Sequence, residues 1–328
     1  MRRAAAVQPG INQQSLKQKL KSYRHQPLSL ILLILTLLSA VLTVGVLVCL
    51  IGYILIKGIP NITPQLFEWH YTTKNVSMMP AIINTLLMTL STLIIAVPIG
   101  IGSAIYLVEY AKRGNKLVKV VRMTTETLQG IPSIVFGLFG FLLFVITCGM
   151  GYSLLGGALT LAIMVLPLIM RTTEEALLSV PDAFREGSFG LGAGRLRTIF
   201  RIVLPSAMPG ILSGVILAIG RIVGETAALM FTAGTASTVA TSPLASCRTL
   251  AVHMYVLLNE GLYMNQAYAT AVVLLVMVIL INALSSFAAK KLSRKGSEKW
   301  IIRKINLSFR IWIFTMVHFM RSRISIST

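Results

Sequence analysis

The sequence predicts an all-α, polytopic membrane protein with six transmembrane helices and both termini in the cytoplasm. Three observations carry this. Hydrophobic residues make up 55% of the 328 and charged residues only 12%. Uncharged runs recur that exceed the roughly 18 residues of a bilayer crossing. The 30 Lys and Arg residues gather between these runs, almost never inside them. A soluble core is excluded by that composition, and length here counts crossings rather than domains.

Residues 1–27 form a basic cytoplasmic arm in which Arg2, Arg3, Lys17, Lys19, Lys21 and Arg24 stand without an acid. The positive-inside rule places this end in the cytoplasm. The first apolar run, 28–56, is much longer than the roughly 7–15 residue core of a signal peptide and lacks a small-residue cleavage site, so it reads as a retained span. The loop 57–79 carries Pro60, Pro64, Trp69 and Tyr71, whose aromatics read as interfacial anchors. In the second run, 80–108, Pro98, Gly100 and Gly102 would bend the helix where neighbours can satisfy the freed backbone groups.

Runs 128–149 and 152–170 supply the third and fourth spans, the segment around Arg221 the fifth, and 266–289 the sixth. The six-helix domain thus covers 28–289. Its fifth span has two small-residue ladders, Gly210, Gly214, Ala218 and Gly220, Gly224, Ala228. Such stripes are helix-packing surfaces first. Around Arg221 they also leave room for a ligand. The basic tail, 290–328, repeats Ile301, Ile305, Phe309, Trp312, Met316 and Met320 near helical spacing. It reads as an amphipathic helix on the inner membrane surface, with a seventh span as the weaker alternative because run 311–319 is too short to cross.

Threaded this way, 26 of the 30 basic residues lie inside, Lys57, Lys74 and Arg248 lie outside, and Arg221 lies in the membrane. The net charge of +20 therefore sets orientation and meets anionic lipid, which argues against nucleic acid as a partner. Cys49, Cys148 and Cys247 offer neither a disulfide pair nor metal-ligand spacing, so no metal is expected. His25, His70, His253 and His318 are scattered, without the H-E-x-x-H or nucleophile–base cluster of a membrane enzyme.

Arg221 and, one turn later, Glu225 are the only charges between Ile211 and Phe231. A lone Arg near the centre of a hydrocarbon span costs about 2.5–3.5 kcal/mol on insertion scales, so it needs a partner or a watery path. The two residues share a helix face at i,i+4 and could neutralise each other. The other reading is a polar pathway, which intramembrane charges mark by default.

The loop 171–205 is more than a connector. Ser179, Pro181 and Asp182 make a helix start, Gly190, Gly192 and Gly194 break that helix, and Leu196, Ile199, Phe200 and Val203 form the apolar face of a second one. Glu186-Gly187-Ser188, three residues, Gly192, nine residues, then Ile202-Val203-Leu204-Pro205 resembles the EAA loop of ABC-importer permease subunits. Gly187 and Ser188 stand where that family usually has two alanines. The stretches Ile105 to Tyr110, Gly130 to Gly137, and Gly224-Glu225-Thr226-Ala227 with Leu229 to Gly234 resemble PstA subunits of bacterial phosphate importers. Ala228 stands where a Pro is common in that family, and the extension beyond Gly296 has no usual counterpart.

The resemblance implies the type I ABC importer permease architecture, in the bacterial inner membrane. It implies four kinds of partner: a second, PstC-like permease, two copies of a PstB-like ATPase, a PstS-like extracytoplasmic phosphate-binding protein, and lipid. The loop, through Glu186, Gly187, Ser188, Gly192, Leu204 and Pro205, would seat in the ATPase, with Gly192 ending the docking helix and Leu196, Phe200 and Val203 bracing it. Arg221 would contact the passing anion, Glu225 would hold the Arg, and Arg171 could offer a second cationic station or simply mark the lipid boundary. The chain lacks G-x-x-x-x-G-K-[ST], so ATP and Mg would bind the partner ATPase and no cofactor this chain. A secondary transporter or channel would use the same charges without ATP, and residue chemistry alone does not separate phosphate from sulfate, molybdate or phosphonate.

Overall fold

The computed structural model describes residues 27–112, 114–289 and 291. The basic arm, apart from Pro27, and the tail with its surface helix lie outside the described residues. The chain divides into two units, one ending at Lys57 and one beginning at Gly58. Among the described residues five helices are long and apolar enough to cross a membrane, six if a bent pair is one crossing.

Helix α1 (Pro27–Gly58) is apolar on every side, as a lipid-embedded helix must be. Its 32 residues would extend about 48 Å, more than the hydrocarbon thickness. Thr36 and Thr43 turn their hydroxyls back onto the carbonyls of Leu32 and Ser39, each at 2.8 Å, so neither exposes a bare donor to lipid.

The second unit is built around three helices. α2 (Met79–Ile105) runs through Pro98 and closes in a π-helical turn, Tyr106–Tyr110. α3 (Lys116–Gln129) is amphipathic, capped by Asn115, whose Oδ1 accepts from the Leu117 N–H at 3.0 Å. α4 (Ser133–Gly140) and the π-helical turn Phe141–Thr147 follow at 105° to α3. This corrects the third span. The run 128–149 is broken at Gly130-Ile131-Pro132, because Pro132 has no N–H to donate and drives the preceding residue out of the helical region. Ser133–Thr147 alone would reach only about 22 Å, less than the thickness of the hydrocarbon core.

α5 (Leu154–Leu178) starts from Ser153, whose Oγ accepts from the Gly156 N–H at 3.1 Å. It continues past Arg171, so the fourth span is longer than its uncharged run. α6 (Asp182–Gly190) follows, then α7 (Arg195–Thr198), a π-helical turn at Ile199–Val203 and α8 (Leu204–Val223). From Arg195 to Val223 these form one rod. The apolar second helix of the loop is therefore the start of the fifth span. α9 (Ala227–Thr232), α10 (Leu250–Glu260) and α11 (Met264–Ala289) complete the unit.

α2, α5 and α8 share the core, with Met88, Ala96, Leu161, Val165, Ile169, Ala218 and Ile222 fully or nearly buried. Small residues set the spacing. A Cβ on Gly210 would stand 2.6 Å from the Ala176 Cβ, and one on Gly214 would collide with the Thr172 hydroxyl. The first ladder is thus the α5–α8 contact. The second is not a ladder in space: at Gly220 the nearest atoms belong to Asn282 at 3.8 Å, and Gly224 ends α8.

Candidate functional site

The rod of α8 has two faces. Ala207, Ile211, Gly214, Ala218 and Ile222 are buried, whereas Ser206, Pro209, Ser213 and Leu217 are exposed at three- and four-residue spacing. Arg221 lies on this uncovered stripe and is half-buried. Its depth follows from the packing. Gly214 meets Thr172 of α5, Arg221 lies about 10 Å farther along α8, and Thr172 lies about 27 Å from the start of antiparallel α5 at Leu154. Arg221 therefore sits well inside the helix bundle rather than at its rim.

The structure does not bring Arg221 and Glu225 together. Gly224 terminates α8, so the i,i+4 relation on which a pair depends is lost. Glu225 turns inward, is buried, and its Oε1 accepts from the Ala228 N–H at 3.1 Å, capping α9. Among the described residues no ion pair or hydrogen bond reaches Arg221. The guanidinium thus lies at mid-depth on the uncovered stripe of α8 without a counter-charge among the described residues.

Arg171 is differently placed. Its Nε donates to Glu175 Oε1 at 3.1 Å and its Nη1 lies 3.8 Å from Glu126 Oε1, while neighbouring Arg122 pairs with Glu174. These groups line a cavity of about 290 Å³ between α3 and α5, in which the two cations meet three carboxylates. Arg171 is compensated where Arg221 is not. Its environment fastens α3 to the extended end of α5 and is too acidic to hold an anion well.

In the loop, Pro181 precedes the first turn of α6 and Ser179 closes α5 instead, its Oγ donating to the Ala176 carbonyl at 2.7 Å. Gly192 takes φ +77, and the bonds Ala193 N–H to Ser188 O (3.1 Å) and Gly192 N–H to Phe189 O (2.9 Å) form a Schellman ending. Ser188 and Thr198, both buried, share a 2.8 Å hydroxyl bond that ties α6 to α7. A Cβ on Gly187 would meet open space among the described residues, so its smallness serves no packing between them. Glu186 is exposed. Val203 is buried and does brace the hairpin, but Leu196 (65% exposed) and Phe200 do not; with Leu191 (82% exposed) they leave an apolar surface around α6. Leu204 and Pro205 lie in the first turn of α8.

Several residues escaped the sequence reading. Arg185 of α6 donates to Glu109 Oε1 from Nε (3.1 Å) and Nη2 (2.8 Å), to Asp182 (3.0 Å), and to the carbonyls of Val180 (2.8 Å) and Leu177 (2.9 Å). This clamps α6 to the end of α2. Asn84 holds the segment after α9, donating to Thr238 O (2.9 Å) and Arg248 O (3.2 Å) and accepting from the Ala240 N–H (3.0 Å). Tyr71, read from the sequence as an interfacial anchor, packs against two side chains of the α10 start. Its ring lies 4.4 Å from the Arg248 guanidinium carbon and meets His253 edge-on at 6.1 Å. His253 is fully buried, and burial followed by the Arg248 charge pushes its imidazole down to about 3. Lone polar residues at 76- or 164-residue separation carry no local signal.

The profile described as binding-protein-dependent transport system inner membrane component matches residues 96–297, and the chain belongs to this family of ABC-importer permease subunits. It is 35% identical over 280 residues to a probable ABC transporter permease protein, YqgI, of Bacillus subtilis, covering 79% of this chain and 94% of the relative. It is similar to PstA-type permeases: 32% identity to the phosphate transport system permease protein PstA of Yersinia pestis over 84% of this chain and 95% of that one, and 44% to PstA 1 of Mycobacterium tuberculosis over 47% and 50%. A chain of the solved bacterial alginate ABC transporter, bound to its alginate-loaded periplasmic protein, superposes with a TM-score of 0.62 at 15% identity over 83% of this chain and 98% of that one, a likeness of fold alone. The protein is a multi-pass component of the inner membrane.

Proposed function

We propose that the chain is one of two related permease subunits of an ATP-driven importer of inorganic phosphate. Uncompensated Arg221, on an open stripe at bilayer depth, is the observation that carries this reading. A guanidinium fork matches phosphate oxygens in a bidentate way. The uncovered stripe of α8 is then the wall of a path completed by a PstC-like permease. Glu225 acts on the anion only at second hand, by fixing the break at Gly224 that brings Arg221 to the end of its helix. Arg171 is a structural cation rather than a second station.

The end bearing α6 faces the cytoplasm, in keeping with the basic clusters there. α6 and the exposed Leu191, Leu196 and Phe200 seat in a PstB-like ATPase, with two such subunits per complex. ATP and Mg bind there, and this chain holds no nucleotide or other cofactor. A PstS-like protein delivers phosphate at the opposite end. PstA names given to relatives support phosphate over sulfate, molybdate or phosphonate.

The test is phosphate uptake into vesicles holding the complete complex and the binding protein. Uptake is expected to require ATP inside the vesicles, on the ATPase face, with the binding protein outside, and to be lost in both Arg221→Ala and Glu186→Ala. Only Glu186→Ala should also weaken ATPase association. Nucleotide-independent uptake would instead identify a channel or secondary transporter.

A further inference from the structure

We propose that Arg248, Thr249 and His253 form a second anion station, built for a protonated oxyanion such as hydrogen phosphate, at the end of the bundle opposite α6. The ligand class rests on the phosphate reading above; the place rests on groups that the chain buries and leaves unpartnered. Arg248 is 5% exposed, its Nη2 has no hydrogen-bond partner, and no carboxylate among the described residues pairs with it. A buried cation without a counter-charge is strongly unfavourable, so an anion is the group that this position lacks. Thr249 occupies the N-cap position of α10, yet its hydroxyl caps nothing and is buried without a partner. One turn on, both ring nitrogens of fully buried His253 are also unpartnered.

These three residues are gathered, not scattered. Tyr71 touches both Arg248 and His253. The Arg248 carbonyl is held by Asn84, and the Leu250 N–H by Thr85 Oγ1 at 2.8 Å, which fixes the start of α10. That start adds the positive end of an 11-residue helix.

The chemistry is selective. Arg248 donates only, Thr249 donates or accepts, and a neutral imidazole presents one donor and one acceptor nitrogen. Hydrogen phosphate carries both negative oxygens and a P–OH, so it can serve the Arg and also give a proton to an imidazole lone pair. Sulfate at neutral pH has no proton to give and would leave that acceptor unpaired, the kind of mismatch that discriminates strongly. The station lies on the delivery side of Arg221, so phosphate would meet a site that tests for its proton before it reaches the guanidinium deeper in the bundle.

The experiment is thermal unfolding of the full chain in lipid nanodiscs, titrated with inorganic phosphate and with sulfate. Phosphate is expected to raise Tm saturably, and sulfate to need at least tenfold more. Arg248→Gln and His253→Ala should remove most of the phosphate-dependent rise, and Lys74→Gln, at an exposed cation of the loop that carries Tyr71, should retain it. Thr249→Val, nearly the same shape, should weaken phosphate at least several-fold and serves if either other variant does not fold. A phosphate response in Arg248→Gln or Thr249→Val equal to wild type, or no response in wild type, overturns the station; an equal response to sulfate overturns its assignment to a protonated oxyanion. ATP-driven phosphate uptake by the complete complex, measured in parallel, separates the two readings. Failed uptake with an Arg248-dependent Tm rise sinks the importer and leaves the station, while normal uptake without that rise does the reverse.

Discussion

Arg221 and Glu225 sit four residues apart and do different work, because one glycine lies between them. With Gly224 ending α8, the Arg stays on the open stripe and the carboxylate goes to the Ala228 N–H in the first turn of α9. Arg221→Lys keeps the charge but not the fork, and uptake should fall about 10- to 100-fold with assembly intact, as checked by co-purification of the complex. Glu225→Ala removes the cap and should lower stability by about 1–2 kcal/mol, whereas Glu225→Gln, which can still accept from Ala228, should lose much less in the same denaturation assay. His253 gives a pH signature. Its folded value of about 3 lies below the ordinary 6.5, so between these values the unfolded chain binds the extra proton. Stability is full above about pH 6.5 and falls on acidification by up to about 1.4 kcal/mol per unit. Melting in phosphate-free buffer from pH 7 to pH 5 should show this slope, and His253→Gln should flatten it.

At the scale of elements, α6 is held from within by Arg185 and left bare outside. The guanidinium joins Glu109 at the end of α2 to two carbonyls at the end of α5, so movement of α6 cannot leave those helices behind. Arg185→Met alone strands Glu109 and should destabilise by about 3 kcal/mol or more, and the double variant Arg185→Met with Glu109→Leu should recover much of that in thermal unfolding. If the clamp transmits motion, the recovered double variant will bind the ATPase yet transport slowly. The glycines divide similarly. Gly214→Leu drives a side chain into Thr172 and should part α5 from α8, while Gly187→Ala meets open space within the chain and should stabilise α6 by about 0.5–1 kcal/mol in the isolated subunit. Loss of ATPase binding by the stable Gly187→Ala chain would place a partner surface against that position.

For the whole molecule, apolar runs and basic clusters foretold the spans, since both are one-dimensional signals of a bilayer. Their ends were misread. Arg171 marks the lipid boundary of the fourth span in the sequence, yet backbone hydrogen bonding carries α5 on to Leu178. Pro132 looked like a residue inside a span and instead divides α3 from α4. Arg221 was legible because a charge among apolar residues announces itself; its lack of a partner was not, because it depends on where a helix stops. Arg185 with Glu109, and Arg248 with Tyr71 and His253, are meetings across long stretches of chain that no local pattern records. The unbroken rod from Arg195 to Val223 has one more consequence. It makes a lever arm of about 39 Å between the base of the hairpin and Arg221. Pivoted near the hairpin, a swing of only about 10° would sweep the guanidinium through about 7 Å, roughly the width of a hydrated anion, so under the proposed importer mechanism a small rocking of the hairpin would be enough to turn that charge from one side of the membrane towards the other.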